Sequence, residues 1–295
     1  MSYNNELRKL KKGFPSALWD ALGEHGCIIA GGAITSVFTN TEINDYDIYF
    51  RSKEDFTKIF QEIYHDYYDG TLEYNLGFYD ATASVVTKKA LLLFHGESKI
   101  QFIVNDFYQT PEQIFEHFDF SCCMGALRMQ DETFVLHEDF LKHNAQKYLS
   151  FNPATLYPLV SALRVQKYKD KGYNISKAQM LRVLLAVNAK DISSWEVLLD
   201  EIGGMYGTPP EEIFDTTKDF NLDLAMEQLE NAKITEKMQP NCSVGAKEIA
   251  KVIKHAFTDE YLKKLDLWHS IPEEVDDFFS NLDVAKPLPR YTAQA

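Results

Sequence analysis

The stretch Asn44-Asp45-Tyr46-Asp47-Ile48-Tyr49-Phe50 carries two carboxylates at alternate positions, with the apolar Tyr46, Ile48 and Phe50 interleaved. A β-strand would turn Asp45 and Asp47 to one face, roughly 7 Å apart, and the apolar side chains to the other. Asp is depleted in strands, and two like charges on one face repel unless a cation lies between them. Hard oxygen ligands of this kind suit Mg²⁺, with Mn²⁺ able to replace it, bridging the phosphates of a substrate. Asp45 and Asp47 are therefore the candidate metal ligands and catalytic residues. The competing reading is a solvated edge strand bearing two acids.

Upstream, the apolar run Cys27-Ile28-Ile29-Ala30 stops at Gly31-Gly32, and Ala33 to Phe38 has helical character, which predicts strand, tight turn and helix. With no Cβ, Gly31 and Gly32 can take positive φ and let a phosphate approach bare backbone. The helix start beyond them offers unpaired N–H groups to an anion. Gly31 and Gly32 are candidate nucleotide-binding residues, and the Ser36 hydroxyl is a further candidate contact.

Together, Gly31-Gly32, a spacer of about a dozen residues and Asp45-x-Asp47 resemble the nucleotidyltransferase signature. The wider resemblance is to the tRNA nucleotidyltransferase and poly(A) polymerase branch, and to nucleotidyltransferase-like proteins encoded by large bacterial viruses. It implies an α+β fold: an N-terminal nucleotidyltransferase-type mixed β-sheet with flanking helices, followed by an all-helical C-terminal domain. Asp119-Phe120-Ser121 fall on the Asp-Phe-Thr part of a family segment that binds nucleotide, with His117 and Phe118 where the family has arginines. Ala162 to Tyr168 and Lys171 to Ile175 resemble the opening of the family's neck once one residue is deleted.

The chain also departs from the family. Members of the fold carry a third acid on a neighbouring strand, where Gln101 stands here, and an amide binds Mg²⁺ less well than a carboxylate. Asp106 could compensate only if its loop folds back. Thr35-Ser36 replace an expected Arg-Asp. The Glu-Asp-x-x-Arg with which CCA-adding enzymes read bases aligns with Tyr157, Pro158 and Ser161, so CCA addition is not supported.

The elements that must position these residues follow in order. Leu7 to Gly23 reads as helix with a break or restart near Pro15. Ser52, with Asp55 three residues on, signals an N-cap before Phe56, Ile59, Phe60 and Ile63. Asn75 to Tyr79, Ala83 to Thr87, Ala90 to Phe94 and Lys99 to Val104 read as strands extending the sheet of Asp45 and Asp47. Thr110 and Pro111 open a short helix to Phe118, and Arg128 to Val135 reads as a turn and hairpin.

Pro153 and Pro158 mark a boundary, giving a catalytic domain over 1–150, a helical neck and body over 151–286 and a loose tail over 287–295. Leu159 to Lys171 and Ser176 to Asn188 are the clearest helices of the second part, separated by Gly172. Ala246 to Lys264 and Ile271 to Leu282 read as further helices, whereas Glu227 to Glu236 is mostly polar. Arg164, Lys167, Lys169, Lys171, Lys177 and Arg182 form a basic strip, with Arg164 and Lys167 as candidate triphosphate or polynucleotide contacts. The competing reading is a solvated helix face.

A chain of 295 residues with 45% apolar content can bury a core. Its net charge of −14 argues against a broad nucleic-acid surface. Cys27, Cys122, Cys123 and Cys242 lack zinc spacing and suit a reduced, cytoplasmic setting, the host cytoplasm for a phage protein. Neither a signal peptide nor a membrane span is expected.

The expected function is Mg²⁺-dependent transfer of NMP from an NTP such as ATP to an RNA end, tRNA-like included, or to a protein hydroxyl. The alternatives are a catalytically impaired nucleotidyltransferase-like binding protein and the nucleotidyltransferase half of a toxin-antitoxin pair.

Overall fold

The computed structural model describes residues 3–56, 58–59, 82–86, 90–95, 97–104, 106–202 and 213–231. The expected strand Asn75 to Tyr79, the helices Ala246 to Lys264 and Ile271 to Leu282, and the tail lie outside them. The chain forms two units. Among the described residues, one holds those up to Gln113 together with Gly125–Val135; the other holds Ile114–Met124 together with those from Leu136 to Asn231.

The first unit is a seven-stranded mixed sheet with flanking helices, an α+β arrangement. Its strands are β1 (Ile28–Ala30), β2 (Tyr46–Tyr49), β3 (Thr82–Val86), β4 (Ala90–His95), β5 (Ser98–Ile103), β6 (Gly125–Arg128) and β7 (Thr133–Leu136), in the order β3-β4-β5-β2-β1-β6-β7. β2 runs parallel to β5, while β1 is antiparallel to both β2 and β6. The strands expected after residue 82 do extend the sheet that carries Asp47.

One row crosses the middle of this sheet: Phe102, Ile48, Ile29 and Leu127, each in register with the next and each 0% exposed. Fully burying a side chain of this size is worth about 1.5–3 kcal/mol. That row fixes the register, because a slip by one residue would turn all four to the opposite face. It therefore also fixes the face on which Asp47 stands.

Helices of the N-terminal part flank this sheet. α1 (Asn4–Lys11) and α2 (Ser16–Glu24) are separated at the expected break, with Pro15 as the N-cap of α2, its φ of −58° being the one proline allows. α3 (Gly32–Thr39) ends at Asn40, whose left-handed φ of 55° suits asparagine. The cap expected at Ser52 is present: the Asp55 N–H donates to Ser52 Oγ (3.0 Å), and that hydroxyl donates to the Asp55 carboxylate (2.8 Å). At Pro111–His117 the residue three positions after Thr110 takes part in the helix start. Gln113 Oε1 reaches back to accept the Gln109 and Thr110 N–H groups (2.8 and 3.2 Å).

The second unit is helical around two apolar clusters. Helices Pro158–Asp170 and Lys177–Asn188 pack with the short parallel pair β8 (Tyr148–Leu149) and β9 (Asn174–Ile175) around Phe120, Phe151, Val165, Tyr168 and Val183. Gly172 ends the first helix at φ 83°, and Ser176 Oγ caps the second by accepting the Gln179 N–H (3.2 Å). Helices Trp195–Ile202 and Leu222–Asn231 share the other cluster. The latter runs into the polar stretch that begins at Glu227, and its apolar stripe is narrow, centred on buried Ala225. Its start is capped by Asn221 Oδ1, which accepts the Asp223 and Leu224 N–H groups (2.8 and 3.2 Å).

Candidate functional site

β1 ends at Ala30, and the chain turns through Gly31 at φ 85° and ψ −131°, a combination essentially closed to residues with a Cβ. The turn is tied on both sides. The Gly31 N–H donates to the Gly125 carbonyl (3.0 Å), and the Gly31 carbonyl accepts the Thr35 N–H (3.1 Å) and the Thr35 hydroxyl (3.2 Å). Gly32, by contrast, is already helical and exposed. As the N-cap, Gly31 has no side chain with which to bond the first turn of α3.

The register then places the acids. Asp47 stands opposite Ala30, the last residue before the turn, and Asp45 lies two residues earlier, just ahead of β2. A Cβ built on Gly32 would lie 3.8 Å from Asp45 Oδ1, so this carboxylate faces the glycine turn. Both aspartates are partly exposed, while the interleaved Tyr46 and Ile48 are 6% and 0% exposed. Asp47 is flanked by Ala30 on one side and Gln101 on the other. The strand pairing thus puts the amide of Gln101 at the position that invites a third acid. Asp106 is exposed, and its carboxylate accepts the Phe107 N–H (2.8 Å). Among the described residues no group of three or more His, Cys, Asp or Glu could hold a metal ion.

Ser36 lies one turn into α3 on its buried stripe with Ala33, Ile34 and Val37, at 9% exposure.

The remaining candidates belong to the second unit. Asp119 is 4% exposed and pairs with Arg164 (Nη1 to Oδ2, 2.9 Å). Burial pushes its carboxyl above the usual carboxylate range, against the pull of the Arg164 guanidinium. Its carbonyl accepts the Asn152 N–H (2.8 Å). Arg164 also donates to the Tyr168 hydroxyl (3.3 Å), which in turn contacts Cys123 Sγ. Lys167 is partly buried, and Lys169, Lys171, Lys177 and Arg182 are exposed. Ser161 is 1% exposed and its hydroxyl donates to the Tyr157 carbonyl (3.0 Å), so it presents no base-reading side chain.

Residues 3–147 match the family described as Gabija anti-defense 2 family protein. That span contains the glycine turn, both aspartates and Gln101. "Gabija anti-defense 2" of Bacillus phage SPbetaL7 is 42% identical over 238 residues, which cover 80% of this chain and 56% of the relative. The chain therefore spans little more than half of that relative's length. Among solved structures, a tRNA-processing enzyme in apo form I is similar at TM-score 0.47 and 14% identity, over 95% of this chain and 78% of the other. A CCA-adding enzyme in apo form I is similar at TM-score 0.44 and 13% identity, over 75% and 52%.

Sequence reasoning passed over Ala30, whose small side chain flanks Asp47, and the polar links of His143 in the second unit. His143 Nδ1 is hydrogen-bonded to Ser121 Oγ (2.6 Å), and burial holds its imidazole below the usual range. No spacing signal marks either feature, since each arises from pairing distant segments.

Proposed function

We propose that this chain is a divalent-metal-dependent nucleotidyltransferase that moves NMP from an NTP to a hydroxyl, on an RNA end or a protein, and that a phage uses it against the Gabija defence named in its relative's description. The observation that supports this reading is the meeting of Asp45 with the glycine turn: its carboxylate faces Gly32, and Asp47 stands opposite Ala30, so both acids lie beside the start of a helix whose N-cap is a glycine. The donor set of two carboxylates and one amide fits a hard cation, and Asp45 and Asp47 would hold it. When bound, Mg²⁺ would polarise the phosphoryl oxygens and lower the pKa of the attacking hydroxyl.

The chain's own residues bind and orient. The Gly31-Gly32 turn and the first N–H groups of α3 take the triphosphate, with no Cβ at Gly32 to hold it away. Asp45 and Asp47 set the α-phosphate within reach of the acceptor hydroxyl. That hydroxyl oxygen forms the new bond to phosphorus, the bond to the bridging oxygen breaks, and pyrophosphate leaves. The burial of Ser36 and the pairing of Asp119 with Arg164 favour packing roles for those three.

Incubation with each labelled NTP, Mg²⁺ and either RNA or protein extracts from Gabija-bearing cells is expected to label one fraction. Carrying Asp45→Ala with Asp47→Ala, the protein should transfer no label and give no protection to a Gabija-sensitive phage; equal labelling by that variant would overturn the proposal.

One observation favours a second reading, a nucleotidyltransferase-like protein that binds a partner without catalysis: Gln101 stands beside Asp47 where a third acid is expected. It predicts phage protection that survives loss of both aspartates.

A further inference from the structure

The strands that bring Ala30 and Asp47 to the glycine turn have another end, and it too is built around a glycine. Ile28 pairs with Tyr49 on one side and Arg128 on the other. Continued by one pleat, the same registers set Gly26 between Arg51 and Gln130. Gly26 takes φ 62°, and a Cβ placed on it would lie 2.9 Å from Arg51 Nη1, 3.1 Å from Arg51 Cδ and 3.7 Å from Gln130 Oε1. The absent side chain is what makes room for the guanidinium.

Gly26, Arg51, Gln109, Arg128, Gln130 and Asp131 line a cavity of about 220 Å³, many times what a single water needs. Arg51 Nε is buried there and has no hydrogen-bond partner, and among the described residues its guanidinium makes no ion pair. Its carbonyl is the group that is engaged, accepting Gln109 Nε2 (2.6 Å). The neighbouring acid Asp55 is occupied by Ser52 and His25. Arg128 donates to Asp131 (2.7 Å) in a pair about half exposed on each side. Two guanidiniums thus face one carboxylate, a local positive excess in a chain of net charge −14.

An unsatisfied guanidinium is a fork of donors without an acceptor, and its geometry matches two oxygens of a tetrahedral or planar anion. The side chains of Gln109 and Gln130 add neutral polar groups to the lining.

We propose that this cavity binds a phosphate-class oxyanion, as free phosphate or pyrophosphate or as the phosphate of a mononucleotide. Arg51 is the principal ligand, and Arg128 is recruited from Asp131. The site stands apart from the glycine turn and does not depend on the proposed transferase reading.

The test is calorimetric titration of metal-free protein at low ionic strength with inorganic phosphate, pyrophosphate and AMP. It is run in the Asp45→Ala and Asp47→Ala background, so that loss of the proposed transfer chemistry and loss of this site are read separately. Arg51→Met and Gly26→Ala should each weaken binding by about tenfold or more. Asp131→Asn, which releases Arg128, should tighten it severalfold, a gain that no misfolded variant could mimic. AMP binding much tighter than phosphate assigns the site to nucleotides; equal affinity assigns it to the phosphate alone. Absence of binding by all three probes, or an affinity that neither Arg51→Met nor Asp131→Asn changes, overturns the proposal.

Discussion

Gly32→Ala separates what the glycine turn does for folding from what it does for a ligand. Gly32 is the first residue of α3 and carries no positive φ, so alanine fits its backbone. The added Cβ would meet Asp45 Oδ1 at 3.8 Å, an ordinary contact. Removing glycine's freedom from the unfolded chain at a compatible site stabilises by about 0.4–1 kcal/mol. In a chain of this size that raises the apparent Tm by roughly 1–3 °C. The same methyl group stands between the first N–H groups of α3 and the Asp45 carboxylate, where the triphosphate is proposed to lie. NTP affinity should therefore fall by about tenfold or more, or about 1.4 kcal/mol. Gly31→Ala should behave differently, losing about 1–3 kcal/mol of stability because φ 85° with ψ −131° admits no Cβ without strain. Thermal unfolding and Mg²⁺-dependent NTP calorimetry on both variants provide the readouts. A Gly32→Ala protein that gains stability and binds NTP as tightly as wild type would refute the placement of the phosphates.

Three further outcomes are expected. Gln101→Glu sets a third carboxylate in register with Asp47, so without metal cross-strand repulsion should cost roughly 0.2–1 kcal/mol of stability and lower the apparent Tm, and Mg²⁺ should restore it; a Tm indifferent to both changes would contradict the pairing's role. Arg164→Met strands the buried Asp119 and should cost toward the lower end of roughly 3–5 kcal/mol, since Arg164 is itself 39% exposed, while Asp119→Asn added to it should recover most of the loss in urea unfolding. The His143 imidazole is depressed from 6.5 by burial, so the unfolded chain takes up its proton first as pH falls. Its contribution to stability is full above 6.5 and lost as pH drops through and below that value, and His143→Gln should flatten the decline measured between about pH 7.5 and about pH 5.5.

The glycine turn and the acid-x-acid strand are legible in sequence because each is local. A strand's two-residue period sorts Asp47 from Tyr46 and Ile48, and a double glycine after an apolar run announces a bend. The position of Gln101 could also be anticipated, since β5 alternates it with the buried Ile100 and Phe102, and its pairing follows from burying Phe102 beside Ile48. What local pattern cannot supply is the outcome of long-range pairing. The basic strip offered Arg164 as a ligand for phosphate, yet folding brings it to Asp119, forty-five residues earlier in the chain, and the two charges face each other. Ser36 is similarly ambiguous, because a hydroxyl near a glycine turn looks functional until the helix face that carries it is seen to be buried. The cavity at Arg51 assembles residues from four segments, none with a spacing signal of its own.

The central claim is that Asp45 and Asp47, beside the glycine turn, jointly hold a divalent ion under a triphosphate. The measurement that meets it most directly is calorimetric titration of a non-hydrolysable NTP, with and without Mg²⁺, into wild-type protein and into Asp45→Ala with Asp47→Ala. Binding that requires Mg²⁺ in the wild type and vanishes in the double variant is the predicted result. Binding of equal strength in both proteins, or no Mg²⁺-dependent binding in either, would contradict it.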